Sequence, residues 1–177
     1  MSVSTIWTIG HSTRSIAQFL DLLTRFRIQA VADVRSFPGS RRYPQFGKQA
    51  LSATLATEGI DYRWLPALGG RRRALPDSPN TAWRNISFRG YADHMSGTEF
   101  AHGVERLLEL ASNARCAIMC SESLWWRCHR SLIADALCVR DIEVLHILDA
   151  NHTVLHPMTA PARIVLGALS YAAGNSE

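Results

Sequence analysis

Hydrophobic residues along the chain follow two patterns: short continuous runs, and longer segments with helical periodicity. Continuous runs of about four to eight β-branched, aromatic and other apolar residues, bounded by turn residues, are typical of buried strands. Five segments fit this description, and we predict strands at residues 3–10, 28–34, 60–65, 116–120 and 143–148.

Between these segments, apolar residues return at the spacing of an amphipathic helix. Ser15 fits a helix N-cap, because its hydroxyl can accept from the backbone of the following turn, and the apolar stripe behind it runs from Ile16 to Phe26. The same spacing predicts four further helices, the third of them capped by Thr98, at residues 48–58, 88–95, 98–112 and 124–139.

Strand and helix alternate five times, which is typical of an α/β protein with right-handed crossovers. The predicted fold is a single-domain, Rossmann-like three-layer structure, with a mostly parallel five-stranded sheet and helices on both faces. We place this domain at residues 1–150. Residues 151–177 form a C-terminal extension, in which the pattern suggests only a helix at residues 162–173.

The size and composition agree with one globular domain. A chain of 177 residues with 47% hydrophobic residues can form a buried core, and no apolar stretch reaches the roughly 18–20 residues needed to cross a bilayer. The first residues lack the pattern of a secretory signal, and four cysteines are too few for a disulfide framework in this chain. We therefore expect a cytoplasmic protein without a membrane segment.

The basic residues are unusual in kind and in position. The formal net charge is +4, and 18 of the 19 basic residues are arginine, Lys48 being the exception. Codon usage in a GC-rich genome would explain this bias, and so would a need for the planar guanidinium group that binds phosphates. Ten of the basic residues fall in four stretches that follow the first four strands, at residues 11–14, 33–48, 69–73 and 120–130, where the acids are Asp33 and Glu122.

Ligands of open parallel sheets bind beyond the carboxyl ends of the strands, so these loops form the candidate site. Arginines and helix N-termini both attract anions, which predicts an anion site. The residues predicted to bind substrate are Ser12, Arg14, Arg35, Arg41, Arg42, Gly69, Gly70, Arg71, Arg72, Arg127, His129 and Arg130. The predicted catalytic residues, a nucleophile and proton carriers, are Cys120, Glu122, His11 and Asp33. No metal and no cofactor is predicted.

Cys120 lies where a strand ends and a helix is predicted to begin, and three interpretations of it stay open. It is a packed core cysteine, a reactive thiol acidified by its position, or a metal ligand with Cys128 and His129. Metal binding is disfavoured, because adjacent residues of a helix point about 100° apart. Arg127 comes one residue too late for the Cys-x5-Arg loop of phosphatases, and Cys128 fits the apolar stripe of the predicted helix.

Six segments in residues 5–148 resemble the DUF488 family: TIGHSTRS, VADVRSFPGSRRYPQF, GIDYRWLPALGGRR, FRGYADHM, CSESLWWRCHRSLIADAL and EVLHIL. The resemblance implies an α/β fold, with no assigned substrate and no known obligatory cofactor. Leu124, Trp125 and Trp126 replace the prolines or charged residues common in the family and are expected to mark a subgroup. The positions that match the family signature are Gly10, His11, Ser12, Asp33, Arg35, Pro38, Phe46, Leu68, Gly69, Gly70, Tyr91, Cys120, Glu122, Cys128, His129 and Arg130.

These observations favour an enzyme that acts on a phosphate-bearing ligand, either a nucleotide or a nucleic acid, without defining the reaction. One alternative is a non-catalytic module that binds nucleic acid through the same basic edge and through stacking aromatic residues. A further alternative is a protein with a Cys/His metal site. The sequence does not predict the oligomeric state.

Overall fold

The computed structural model describes residues 3–174 and is built on one main sheet. The strands of this sheet are β1 (Thr5–Gly10), β2 (Ala30–Asp33), β3 (Asp61–Trp64), β4 (Cys116–Cys120), β5 (Glu143–Ile147) and β6 (Thr153–Leu155). They lie in the order β3-β2-β4-β1-β5-β6. The first five strands in this order pair in parallel, and β6 is antiparallel to β5.

Helices cover both faces of the sheet because alternate residues of its buried strands point to opposite sides. The helices are α1 (Ile16–Arg25), α2 (Lys48–Thr57), α3 (Ile86–Met95), α4 (Thr98–Asn113) and α5 (Arg130–Cys138). Ala30 and Ala32 pack with α3, α4 and α5, whereas Val31 between them packs with α1 and α2. This confirms the predicted α/β class, while the predicted number of five strands omits β6.

Within residues 3–174, no helix has both the length and the apolar surface that crossing a bilayer requires.

The predicted start of α1 is confirmed by a capping box, in which Ser15 Oγ accepts from the Gln18 amide and the Gln18 side chain accepts from the Ser15 amide. The predicted cap of α4 is wrong, since Gly97 occupies the N-cap position and Thr98 is the first helical residue.

The segment before α5 does not form the α-helix that the sequence predicted from residue 124 onward. Trp125–Arg127 form a single 3₁₀ turn and Cys128 is extended, so α5 begins only at Arg130. Tertiary contacts explain the difference, because the first tryptophan of this turn stacks on His146 with a ring-centroid distance of 4.3 Å. The guanidinium of Arg130 also donates to the carbonyl of Glu122, which holds the loop close to the sheet.

The C-terminal extension contains a hairpin instead of the predicted helix at residues 162–173. Its strands are β7 (Arg163–Val165) and β8 (Ala168–Ser170), which pair in antiparallel fashion. Leu166 and Gly167 between them have φ values of 51° and 79°, as a tight two-residue hairpin turn requires. A short apolar run fits a strand as well as a helix, so periodicity alone does not separate the two.

A buried chain of hydrogen bonds joins this extension to the centre of the sheet. His146 Nδ1 lies 2.7 Å from Thr8 Oγ1, and its Nε2 lies 2.9 Å from His156 Nδ1. His156 Nε2 lies 2.9 Å from the carboxylate of Asp135, to which Tyr171 also donates. Because the carboxylate only accepts, the protons of the chain all point towards Asp135, and His146 presents its Nδ1 lone pair to the Thr8 hydroxyl.

This arrangement predicts that the protein loses stability in mild acid. Burial is the main reason that the pKa of His146 is lowered to about 2, and the charge of Arg130 acts in the same direction. The unfolded chain binds a proton near pH 6.5 and the folded chain does not, so the free energy of unfolding falls as the pH drops below this value. Between pH 6.5 and 5 this one group accounts for a loss of about 1.5 kcal/mol.

Urea unfolding at pH 6.5 and at pH 5 measures the free energy of unfolding of the wild type and of His146→Gln. The decrease between the two pH values should be smaller in His146→Gln by about 1.5 kcal/mol. His102→Gln, which changes an exposed histidine of α4, should keep the wild-type decrease. Equal pH dependence in wild type and His146→Gln would contradict the assignment.

Candidate functional site

A cavity of about 540 Å³ lies at the carboxyl ends of β1, β2 and β4. Its walls come from the loops after the first four strands and from the start of α5, as expected for ligand sites in open parallel sheets. Eight of the sixteen predicted site residues line it: His11, Ser12, Arg35, Gly70, Arg71, Cys120, Glu122 and His129.

Two of the remaining predicted arginines bind other parts of the protein. Arg14 donates to the carbonyls of Gly10 and Leu148 and so ties the end of β1 to the end of β5. Arg72 pairs with Glu99 at 3.2 Å and donates to the Gly69 carbonyl, which fixes the loop after β3 against α4. Both guanidinium groups are therefore engaged in holding loops.

The other predicted basic residues lie beside the cavity. Arg41 and Arg42 are exposed on the loop after β2 and outside the cavity lining. Arg127 lines a second, smaller cavity of about 220 Å³. Arg130 is almost completely buried, with 1% of its surface exposed.

Asp33 lies beneath the cavity floor and fixes Arg35. Its carboxylate accepts from Arg35 Nε at 2.9 Å and from Nη2 at 2.6 Å, and the hydroxyl of Tyr62 donates to it at 2.6 Å. Burial, followed by the charge of Asp33, raises the pKa of Tyr62. The bidentate ion pair leaves Arg35 Nη1 free to face His11 at 3.4 Å.

His11 is held as a neutral imidazole in the cavity wall. Its Nδ1 donates to the Ser12 carbonyl at 3.0 Å, which leaves the Nε2 lone pair facing Arg35. Burial is the main reason that its pKa is lowered to about 4, and the charge of Arg35 acts in the same direction. The ring stacks on Phe46 with a centroid distance of 4.2 Å, which fixes its orientation.

The two cavities share the residues Gly70, Arg71, Cys120, Glu122 and His129. The second cavity adds Cys128 and Tyr91, so the sulfurs of Cys120 and Cys128 meet where the two cavities join.

The electrostatics of the two thiols differ from what the sequence suggested. The hydrogen bond with Cys128 and burial raise the pKa of Cys120 to about 12, although a strand end was expected to acidify it. Burial also raises the pKa of Cys128, but the hydrogen bond from Cys120 and the charge of Arg130 outweigh it and lower the value to about 6. Arg130 Nε donates to the Cys128 sulfur at 3.4 Å.

Sequence reasoning assigned Cys128 to the core, and it is indeed 5% exposed, but it borders the second cavity. The sequence feature that could have identified Cys128 as a site residue is Arg130, which follows it by two residues and begins α5.

Other lining residues fall in the predicted loops but were not selected as site residues: Thr13, Ser36, Phe37, Gly39, Ser40, Tyr43 and Ser121.

Glycines allow the loops to approach each other closely. A Cβ atom at Gly10 would lie 1.9 Å from the Glu122 carbonyl oxygen, and one at Gly70 would lie 3.0 Å from His129 Nδ1. Two lining residues, Ser12 and Arg71, have φ values of 48° and 58°. Such left-handed conformations cost energy in residues other than glycine and often occur at functional sites.

Comparison with known proteins gives the family of this chain. Residues 15–137 match the family described as Domain of unknown function DUF488, and the chain belongs to this family. No curated protein and no solved structure matches the sequence. The family description carries no activity, so the geometry of the site has to suggest the function.

The Asp33–Arg35 pair predicts a large effect of a small substitution. Asp33→Asn should lower the free energy of unfolding by about 3–5 kcal/mol, because it leaves the buried guanidinium of Arg35 without its counter-charge. Asp61→Asn is the matched control, since Asp61 pairs with Arg63 at 3.6 Å on the surface with both side chains about half exposed. The control should cost less than about 1 kcal/mol. Equal losses in the two variants, measured by urea unfolding, would refute the structural role of Asp33.

Proposed function

We propose that this protein is an enzyme that binds a small phosphate-bearing ligand, of the size of a mononucleotide, in the cavity at the sheet edge. The observation that carries the proposal is the position of Arg71 and Arg35, whose Nη1 faces His11, around the same space as Cys120. Cationic donors that bind an anion are thus next to groups that transfer protons or react as nucleophiles.

The charges around the cavity favour a small anion. Asp33 neutralises most of the charge of Arg35, so Arg71 supplies the main free positive charge, and Glu122 opposes it from an exposed position. One phosphate group suits this balance better than a row of phosphates. The volume of about 540 Å³ is within the range of about 300–1,000 Å³ typical of small-molecule sites.

Aromatic side chains at the mouth of the cavity favour a ligand with a flat ring. Phe37 is 72% exposed, although exposure of a large apolar side chain is unfavourable, and the guanidinium of Arg71 lies over its ring at 5.6 Å. Tyr43 lines the same cavity. A nucleobase could stack on such a surface while its phosphate binds to Arg71.

In this proposal the reaction takes place at the cavity floor, where Cys120 lies with Cys128 behind it. His11 and Glu122 are the proposed proton carriers, because both line the cavity and both have a side-chain atom that can exchange a proton. Cytoplasmic location remains an expectation from the sequence.

Nucleic-acid binding without catalysis is the second candidate. It is favoured by the exposed residues Arg41 and Arg42 beside the cavity and by Trp126, which is 49% exposed next to Arg127. A strand that tracks several phosphates would bind with a steep dependence on salt.

Binding measurements separate these candidates. Inorganic phosphate, the four ribonucleoside 5′-monophosphates and a single-stranded oligonucleotide are titrated by calorimetry in 50 mM and 200 mM salt. We expect a mononucleotide to bind, and Arg71→Gln to weaken its binding by about tenfold or more, through loss of a charge-assisted hydrogen bond. Arg106→Gln, on the exposed surface of α4, removes the same charge and should leave the affinity unchanged.

Absence of phosphate and mononucleotide binding in 50 mM salt would overturn the small-ligand proposal. Tight binding of the oligonucleotide alone, with a steep loss in 200 mM salt, would instead support the nucleic-acid module. Mass spectrometry of the bound nucleotide over time tests catalysis: Cys120→Ala should retain binding and lose conversion. Undiminished conversion by this variant would contradict the assignment of the reacting centre.

A further inference from the structure

We propose that Cys120, Cys128 and His129 form a zinc site with three protein ligands and a fourth position open to the cavities. The two sulfurs and a ring nitrogen of His129 lie within 4.8 Å of one another. Zinc with thiolate and imidazole ligands has bond lengths of about 2.3 and 2.0–2.1 Å, so tetrahedral geometry places neighbouring ligand atoms about 3.5–3.8 Å apart. The distance of 3.6 Å between Cys128 Sγ and His129 Nδ1 already meets this requirement.

The imidazole of His129 is oriented as in metal-bound histidines. Its Nε2 lies 3.0 Å from the Val34 carbonyl oxygen. A carbonyl only accepts, so Nε2 carries the proton and the lone pair of Nδ1 points to the side of Cys128. A hydrogen bond from the far ring nitrogen to a backbone carbonyl is the arrangement that fixes ligand histidines in metal sites.

The backbone at Cys128 and His129 is not the continuous helix that made a shared metal ion unfavourable in the sequence analysis. Cys128 and His129 were expected to diverge because both were placed within a helix. In the structure Cys128 is extended and His129 is the N-cap of α5, so their side chains point to a common space beside Cys120. Gly70 leaves that space open, because a side chain there would press against His129 Nδ1.

The neighbouring charges are suited to a thiolate-bound cation. Two thiolates balance the charge of Zn²⁺, and Arg130 donates to the sulfur of Cys128 at 3.4 Å, a typical outer contact of a metal thiolate. Among residues 3–174, no carboxylate lies within 4.0 Å of the Arg130 guanidinium. Zn²⁺, two thiolates and the Arg130 guanidinium together carry a charge of +1, which favours an anionic fourth ligand.

The sulfur and nitrogen ligand atoms indicate which class of metal ion the site would bind. Thiolate and imidazole ligands favour zinc over magnesium, calcium and manganese, which prefer oxygen. Closed structural zinc sites have four protein ligands, whereas three ligands beside an accessible space are typical of catalytic sites. Cys120 and His129 border both cavities, so the fourth position faces the space where the proposed substrate would bind. The metal assignment does not depend on which ligand binds there.

Cobalt substitution tests the site directly in the 177-residue chain. Metal-free, reduced protein is titrated with Co²⁺ and then with Zn²⁺. We expect one equivalent of Co²⁺ to produce the visible bands of a tetrahedral site and a near-ultraviolet thiolate-to-cobalt band with the intensity of two thiolates, and Zn²⁺ to remove both. Metal analysis of untagged protein purified without chelators should find about one zinc per chain.

Matched variants locate the ligands. Cys120→Ser, Cys128→Ser and His129→Gln should each weaken Zn²⁺ binding by more than about 100-fold, because even loss of an outer partner costs roughly 10–100-fold. Cys138→Ser, which changes the partly buried cysteine at the end of α5, should bind like the wild type.

The wild-type spectrum keeps the test decisive if a variant fails to fold. A cobalt complex without a thiolate band, or no Zn²⁺ binding in the reduced wild type, would overturn the metal site. Metal binding is measured without nucleotide, so its failure is distinct from a failure of the proposed function.

Discussion

The buried guanidinium of Arg130 is the contact on which the geometry of the candidate site depends. It donates to Thr8 in the central strand β1, to the carbonyls of Glu122 and Ser123 in the loop after β4, and to the sulfur of Cys128. A buried cation is costly unless its donors are satisfied. The loop and the thiol are therefore held where the guanidinium needs acceptors, and both cavities are formed around this loop.

This dependence links the site to parts of the chain outside the region matched to the family. Thr8 accepts from Arg130 and also joins His146, which continues through His156 to Asp135. His146 and His156 follow residue 137, where the family match ends. The C-terminal extension thus stabilises the site without lining its main cavity. This role was not identified from the sequence, because site residues were selected by their position in the loops after the strands.

The sequence predicted the architecture well where the signal was local. Apolar and aromatic runs bounded by turn residues located the five parallel strands, and the rule for open sheets pointed to the edge at which Arg35, Gly70 and Cys120 meet. The C-terminal hairpin was missed because a short apolar segment fits strand and helix alike. The late start of α5 was missed because it depends on the stacking of Trp125 on His146, a contact between residues 21 positions apart in the chain.

The same tertiary effects decide what the arginines do. A sequence cannot distinguish a guanidinium that binds a ligand from one that binds a carbonyl, because both lie in loops rich in polar residues. In the structure Arg14 and Arg72 hold loops together, Arg130 supports a thiol, and Arg71 stays exposed at the cavity. The positive charge left for a ligand is therefore small and local. A site of this kind gains specificity from the shape of the cavity and from the Cys120 thiol at its floor, more than from the overall charge of the protein.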